Sequence, residues 1–482
     1  MTSYIHFQNA VPRIPNSPFP EPFNWEINKG EIWTILGSNG SGKTRFSEVL
    51  ASHFSFVKGS IDYAFYDREQ AIAENNYRGP RQYFKTISFD SVYTLADYKE
   101  MYYQQRFDSY GDDAPSVAEI FHEDEIDSDV LHKIADILDL HKLMDRKLIQ
   151  LSSGELRKLV IGKILLEKPK VLIFDNPFIG LDIPSRKHLD EVFPALSESG
   201  IQLFFLVPSV SDMPIATTHT LQLEGGRIIS AEKAGVEEMQ AKFQSENIST
   251  EIDWSKVPAT TEADFEEVSK MENIDIAYGE NVVKQNVNWT IKKGENWVLL
   301  GNNGSGKSTL LSFLFADNPS SYNKNLTLFD RKRGTGESIW DIKKRIGFTS
   351  SEMHLYYRKN VSCLKVVESG FFDSVGLYRK CSEAQTKIAE YFFKVFQIEH
   401  LIDKYFLRIS SGEQRLICFL RALVKNPPLL ILDEPYQGID EKYKQLCNKV
   451  VNAYCAQPNK TLVFVTHNKE EIPESVDNQL KL

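Results

Sequence analysis

The octapeptide Gly301-Asn302-Asn303-Gly304-Ser305-Gly306-Lys307-Ser308 constrains this chain more than any other stretch. It follows the apolar run Trp297-Val298-Leu299-Leu300 and leads into Thr309-Leu310-Leu311-Ser312-Phe313-Leu314, which reads as a helix. Strand, glycine-rich loop and helix in that order are what a phosphate-binding loop needs. The glycines let successive backbone N–H groups turn inward around an anion with no Cβ in the way. The helix behind them adds the positive end of its dipole. Lys307 then reaches the β- and γ-phosphates of a nucleotide, Ser308 offers its hydroxyl to Mg²⁺, and Thr309 completes the nucleotide-binding run.

The same device stands 264 residues earlier as Gly37-Ser38-Asn39-Gly40-Ser41-Gly42-Lys43-Thr44, after Ile32-Trp33-Thr34-Ile35-Leu36. The register extends outward, because Asn24-Trp25-Glu26-Ile27-Asn28-Lys29-Gly30-Glu31 matches Asn288-Trp289-Thr290-Ile291-Lys292-Lys293-Gly294-Glu295. A chance glycine-rich turn does not recur with its flanks. The chain therefore consists of two homologous halves, each with a phosphate site.

A length of 482 residues exceeds what one hydrophobic core supports, and the composition is that of an ordinary globular protein. No run approaches the ~18 apolar residues of a membrane-spanning helix. The first residues, Met1-Thr2-Ser3-Tyr4-Ile5-His6, lack the basic and apolar regions of a signal peptide. The five cysteines are odd in number and include no Cys-x-x-Cys pair, which suits idle thiols in a reducing cytosol. The expected location is cytoplasmic, at most peripheral on the inner face of the plasma membrane. A net charge of −10 argues against strong DNA binding, since few cations are left to displace counterions from phosphates.

Three domains follow from the order of these signals. Residues 1–230 form the first half, 231–267 a linker, and 268–482 the second half. The linker holds ten acids against three lysines and reads as acidic and solvated, with one short helix at most. Within the first half, 61–115 is aromatic and irregular and reads as an insertion, while 116–150 has helical spacing at Leu131, Ile134, Ile137 and Leu138. Leu151-Ser152-Ser153-Gly154-Glu155 then precedes an amphipathic helix, and Lys170-Val171-Leu172-Ile173-Phe174-Asp175 is a short buried strand ending on a carboxylate. The second half repeats both as Ile409-Ser410-Ser411-Gly412-Glu413 and Leu429-Leu430-Ile431-Leu432-Asp433-Glu434-Pro435.

Taken in this order, the motifs resemble the ATP-binding cassette (ABC) ATPases, twice over and across nearly the whole chain. The resemblance implies an α/β fold of two P-loop NTPase cassettes, each a mixed sheet core with a helical signature subdomain. It implies ATP as substrate with Mg²⁺. In the second half it casts Asp433 as a ligand of Mg²⁺ through water and Glu434 as the general base or water-orienting group. His467 would contact the γ-phosphate, and Tyr278 would stack on adenine. In this family the signature of one cassette closes over the nucleotide of the other. Ser152 and Gly154 would then complete the site of Lys307, Asp433 and Glu434, while Ser410 and Gly412 would complete that of Lys43, Thr44 and Asp175. The closure would be intramolecular.

The first half departs from the pattern. Asn176 stands where Glu434 stands, Ser209 where His467 stands, and Ile14 where Tyr278 stands. It should bind nucleotide and Mg²⁺ and hydrolyse poorly. The glutamine that couples many family members to membrane partners is absent from both Ser88-Phe89-Asp90-Ser91 and Phe348-Thr349-Ser350-Ser351. Leu326-Thr327-Leu328-Phe329, Gly334 to Lys344 and Gly370-Phe371-Phe372-Asp373-Ser374 resemble the soluble tandem-cassette branch named for molybdenum uptake or photorepair. The expected partner is an unidentified cytosolic protein, with a membrane permease subunit as the alternative. A tandem-cassette translation factor fits less well, because those carry a basic linker and this one is acidic.

Overall fold

The computed structural model describes residues 3–14, 19, 21–73, 79–88, 115–122, 128–148, 151–242, 251–261, 263–278, 281–357 and 360–482. These fall into two compact units, before and after 243–250. Most of the expected 61–115 insertion lies outside the described residues.

The first unit contains β1 (Ser3–Pro12), β2 (Phe23–Asn28), β3 (Ile32–Leu36), β4 (Phe56–Tyr63), β5 (Phe84–Ile87), β6 (Val171–Asp175), β7 (Gln202–Val207), β8 (His219–Glu224) and β9 (Arg227–Glu232). A six-stranded sheet runs β5-β6-β7-β3-β8-β9, parallel except for β9 at the edge. Its central strands are buried along their length, as continuous apolar runs such as Leu203-Phe204-Phe205-Leu206-Val207 require. A smaller antiparallel sheet, β2-β1-β4, packs its aromatic residues around Phe46. Three helices position the site: α1 (Lys43–Leu50), α2 (Ser153–Leu166) and α3 (Ile183–Glu198). The helical spacing read at 131–138 corresponds to a helix over Ser128–Leu138.

The second unit contains β10 (Glu267–Tyr278), β11 (Asn281–Lys292), β12 (Asn296–Leu300), β13 (Leu326–Leu328), β14 (Arg331–Lys332), β15 (Ile346–Ser350), β16 (Leu429–Asp433), β17 (Thr461–Val465) and β18 (Asn478–Lys481). The parallel sheet β15-β16-β17-β12-β18 is its core, with the antiparallel sheet β11-β10-β13-β14 beside it. The matching helices are α4 (Lys307–Leu314), α5 (Ser411–Leu423) and α6 (Glu441–Cys455). Both units therefore combine an antiparallel sheet, a parallel sheet carrying the phosphate loop, and a helical part that begins at the signature serine.

The repeat holds down to single hydrogen bonds. Asn9 and Asn273 both adopt left-handed backbone inside a β-bulge, and each donates its N–H to an asparagine Oδ1 fifteen residues on, Asn24 at 2.8 Å and Asn288 at 2.9 Å. Glu31 and Glu295 each accept from the indole of the tryptophan two residues later at 2.9 Å. Such bonds fix the bulge and the turn before the loop strand.

The described residues of 231–267 include packed apolar side chains. A helix spans Val236–Lys242, with Met239 fully buried in the first unit. Trp254 packs between Phe392 and Tyr454, and Val257 is buried in the second unit. The carbonyl of Val257 accepts from Asn426 Nδ2 at 2.8 Å. These apolar residues follow no period of two or 3.6, so a periodicity reading passes over them. The cysteines are free thiols, and burial pushes Cys363 and Cys418 up to about 12. Among the described residues no helix is long and apolar enough to cross a membrane.

Candidate functional site

Each phosphate loop joins a buried strand to a helix whose N-cap is glycine. Gly42 and Gly306 adopt φ of 100° and 94°, and neither helix start is capped by a side chain. The first N–H groups of α1 and α4 therefore point into the loop, as an anion cradle requires. A Cβ on Gly306 would come within 2.8 Å of Ile276 Cγ2, so the loop tolerates only glycine there. The Lys307 ammonium donates to the carbonyls of Gly301 and Asn302 at 2.6 and 2.9 Å. Lys43 does the same to Gly37 and Ser38 at the same distances. Both lysines thus lie across the mouths of their own loops. Ser41 Oγ and Ser305 Oγ are buried without a hydrogen-bond partner inside the protein, which suits a cradle built for phosphate oxygens. Asn39, Gly40, Asn303 and Gly304 form the loop crests.

Oxygen donors for a hard dication stand beside each loop. In the first unit Thr44 Oγ1 lies 3.5 Å from Asp175 Oδ2. In the second, Ser308 opens α4 and Asp433 ends β16, the neighbour of β17 in the sheet. A hydroxyl and a carboxylate, with phosphate oxygens and water, fit Mg²⁺. When bound, Mg²⁺ would neutralise charge on the β- and γ-phosphates.

Beyond these shared parts the two units diverge. In the second, Glu434 Oε1 lies 2.8 Å from His467 Nδ1. Burial disfavours a charged imidazole, but the hydrogen bond and the charge of Glu434 outweigh it and raise the His467 pKa above its ordinary value. In the first unit the amide of Asn176 donates to Asp175 Oδ1 at 2.9 Å, which turns it toward the carboxylate. Ser209 bonds Ser211 Oγ at 2.6 Å and Asp212 Oδ2 at 3.0 Å. Ile14 packs against the core of the antiparallel sheet. Tyr278 ends β10, and its side chain lies outside the described residues.

Ser152 and Ser410 each cap a helix, α2 and α5. Their side chains accept from the N–H of Glu155 and Glu413 at 3.3 Å, and those glutamates accept from the serine N–H at 2.8 Å. This reciprocal box leaves both hydroxyls at a dipole-positive helix start. Gly154 and Gly412 lie in the first turns behind them. A Cβ on Gly154 would meet Ser185 Cβ at 2.9 Å. The sequence reading missed two residues beside Glu434, namely Thr466 and Glu471. Thr466 Oγ1 lies 3.4 Å from Glu434 Oε2 and 3.2 Å from Glu471 Oε2.

Comparison with known proteins agrees with this geometry. Residues 21–179 and 284–437 match the model of the ABC transporter family. The chain is 33% identical to the ABC transporter ATP-binding protein ModF of Escherichia coli, over 94% of this chain and 92% of that protein. It is 28% identical to an uncharacterized ABC transporter ATP-binding protein of Schizosaccharomyces pombe, over 99% and 98%. ATP-binding protein Uup of Buchnera aphidicola is 23% identical, over 97% of this chain and 78% of that protein. A solved structure titled RNase-L Inhibitor shares the fold with a TM-score of 0.52 at 17% identity, covering 100% of this chain and 88% of that one. With two matched cassettes and full-length tandem relatives, the chain belongs to the ABC transporter family as a tandem-cassette ATP-binding protein.

Proposed function

We propose that this chain hydrolyses ATP to ADP and phosphate at one of two nucleotide sites and holds the other nucleotide as a structural ligand. The observation that carries this reading is the Glu434–His467 pair at 2.8 Å, where the first unit has Asn176 and, by strand register, Pro208 rather than the Ser209 expected from the sequence. Lys307 and the loop of 301–306 bind the phosphates of the hydrolysed ATP. Ser308 and Asp433 hold Mg²⁺. Glu434 takes the proton of the attacking water, and His467 donates to the γ-phosphate as charge builds on it. Ser152 and Gly154 close the site from the other cassette, and Tyr278 carries the adenine. Lys43, Thr44 and Asp175, closed by Ser410 and Gly412, keep a second ATP that an amide and a proline cannot activate.

A positioned base contributes roughly 10²–10⁴ in rate. Glu434→Gln should therefore lower steady-state ATPase at least about 100-fold, while Asn176→Ala stays close to wild type. Lys43→Ala should lower turnover indirectly, by weakening nucleotide-driven closure. Retention of half the wild-type rate by Glu434→Gln would show that the first unit is catalytic and sink this assignment. We place the partner in the cytosol, because Ser350 ends β15 where coupled family members carry glutamine. Docking on a permease is the alternative. Capture with the trapped Glu434→Gln protein from cytosolic and membrane fractions separates the two.

A further inference from the structure

The side chains around the end of β17 form one connected network. Thr466 follows the strand directly, and its hydroxyl accepts the N–H of Asn468 at 3.0 Å. The same hydroxyl lies within hydrogen-bond reach of two carboxylates, Glu434 and Glu471. A hydroxyl carries one hydrogen and cannot donate to both. The set is satisfied when Glu471 is protonated: it donates to Thr466 Oγ1, which passes its own hydrogen to Glu434. Burial pushes the Glu471 carboxyl above its ordinary range and the charge of Glu434 adds to this, while Lys444, Thr466 and His467 pull the other way. Lys444 of α6 stands 3.9 Å off.

The first unit shows the corresponding turn with other residues. The strand register, Asp175 beside Leu206 and Asp433 beside Val465, sets Val207 opposite Thr466, and the matching short turns Val210–Asp212 and Lys469–Glu471 set Asp212 opposite Glu471. There Arg186 of α3, the counterpart of Lys444, donates to the carbonyls of Ser211 and Met213 at 2.6 and 3.4 Å. Ser209 also donates to Asp212 Oδ2 at 3.0 Å, so this turn has a hydroxyl–carboxylate bond of its own. What the second unit adds is Thr466, whose hydroxyl reaches both Glu471 and Glu434.

We propose that Glu471 is a positioning residue for hydrolysis in the second unit, acting through Thr466 to fix the orientation of the Glu434 carboxylate and the His467 ring against it. This rests on the assignment of Glu434 given above. Deletion of a positioning contact lowers kcat while leaving ground-state binding in place.

The test is steady-state kcat and KM for ATP on the full chain. Glu471→Met, which removes the carboxyl, should lower kcat about 10-fold or more, with KM within about threefold. Glu471→Gln should stay within about threefold of wild type, because its amide donates to Thr466 as the protonated acid does. Thr466→Val should match Glu471→Met, and the double variant should lose no more than either alone. Wild-type kcat in Glu471→Met would overturn the proposal. So would a Glu471→Gln as poor as Glu471→Met, or losses that multiply in the double variant. Should Glu471→Met fail to fold, Glu471→Gln and Thr466→Val decide. Glu434→Gln runs alongside. If it stays active, the base assignment falls and the positioning role falls with it. If it is dead while Glu471→Met and Thr466→Val run at wild-type rate, the positioning role alone falls.

Discussion

Asn176 and Glu434 share one backbone. Their φ angles are 52° and 49°, and each N–H donates at 2.9 Å to the next strand, to Leu206 and Val465 respectively. Asparagine is enriched in that left-handed region, so Asn176 suits its conformation. A glutamate held there is strained, and such strain concentrates at functional sites. The same scale explains Gly370 to Ser374, which reads from sequence only as a mark of a family branch. Arg421 donates to Ser369 Oγ and to the Ser374 carbonyl, and buried Lys425 pairs with Asp373. Burial lowers the Lys425 ammonium to about 8 and raises Asp373, so each needs the other. Asp373→Asn leaves a buried cation unpaired and should destabilise the second unit by about 3–5 kcal/mol. Adding Lys425→Met should recover most of that. Denaturant unfolding should show one transition moved; an unmoved midpoint in Asp373→Asn would contradict the pairing. The carboxylate relay from Glu471 through Thr466 was not legible beforehand, because Glu471 lies 37 residues from Glu434 in a polar turn without a pattern.

Helix starts carry the chemistry, and their caps say which kind. The loop helices α1 and α4 begin on left-handed glycines with open N–H groups, whereas α2 and α5 begin on serines closed by a glutamate. Both types were legible, since each is written within four or five consecutive residues. Removing a serine N-cap costs about 1 kcal/mol. Ser152→Ala and Ser410→Ala should therefore lose similar stability. Their turnover should differ: Ser152→Ala should lose about 10-fold or more, as a donor to developing charge does, and Ser410→Ala much less, because it closes the poorer site. Equal ATPase losses in the two variants would contradict the cross-cassette assignment. The run from Gly334 to Lys344 resolves into a structural turn. Glu337 there accepts from buried Arg333 at 2.7 Å and from the N–H of Gly334 and Thr335 at 2.8 and 3.0 Å. Its glycines and acid build the turn that leads from β14 into a helix over Ile339–Lys343.

For the whole molecule, the covalent link between cassettes raises their effective concentration. Small-angle scattering of Glu434→Gln should show compaction on adding ATP and Mg²⁺, at a mass that stays monomeric. Compaction only with doubling of mass would place the closing surface between chains. The sequence by itself determined the two halves, both phosphate loops, both signature caps and the absence from the first of a glutamate like Glu434 and a histidine like His467. All of these depend on backbone conformation and spacing within one short segment, where a glycine, a cap or a strand-end acid has one physical reading. Only the tertiary structure decided that Trp254 and Val257 pack into the second unit, that Gly370 to Ser374 holds two buried cations, and that Glu471 joins Glu434 through a threonine. Those contacts join residues far apart in the chain at no regular period. Burial and a shared hydrogen, which exist only once the strands are side by side, give them their meaning.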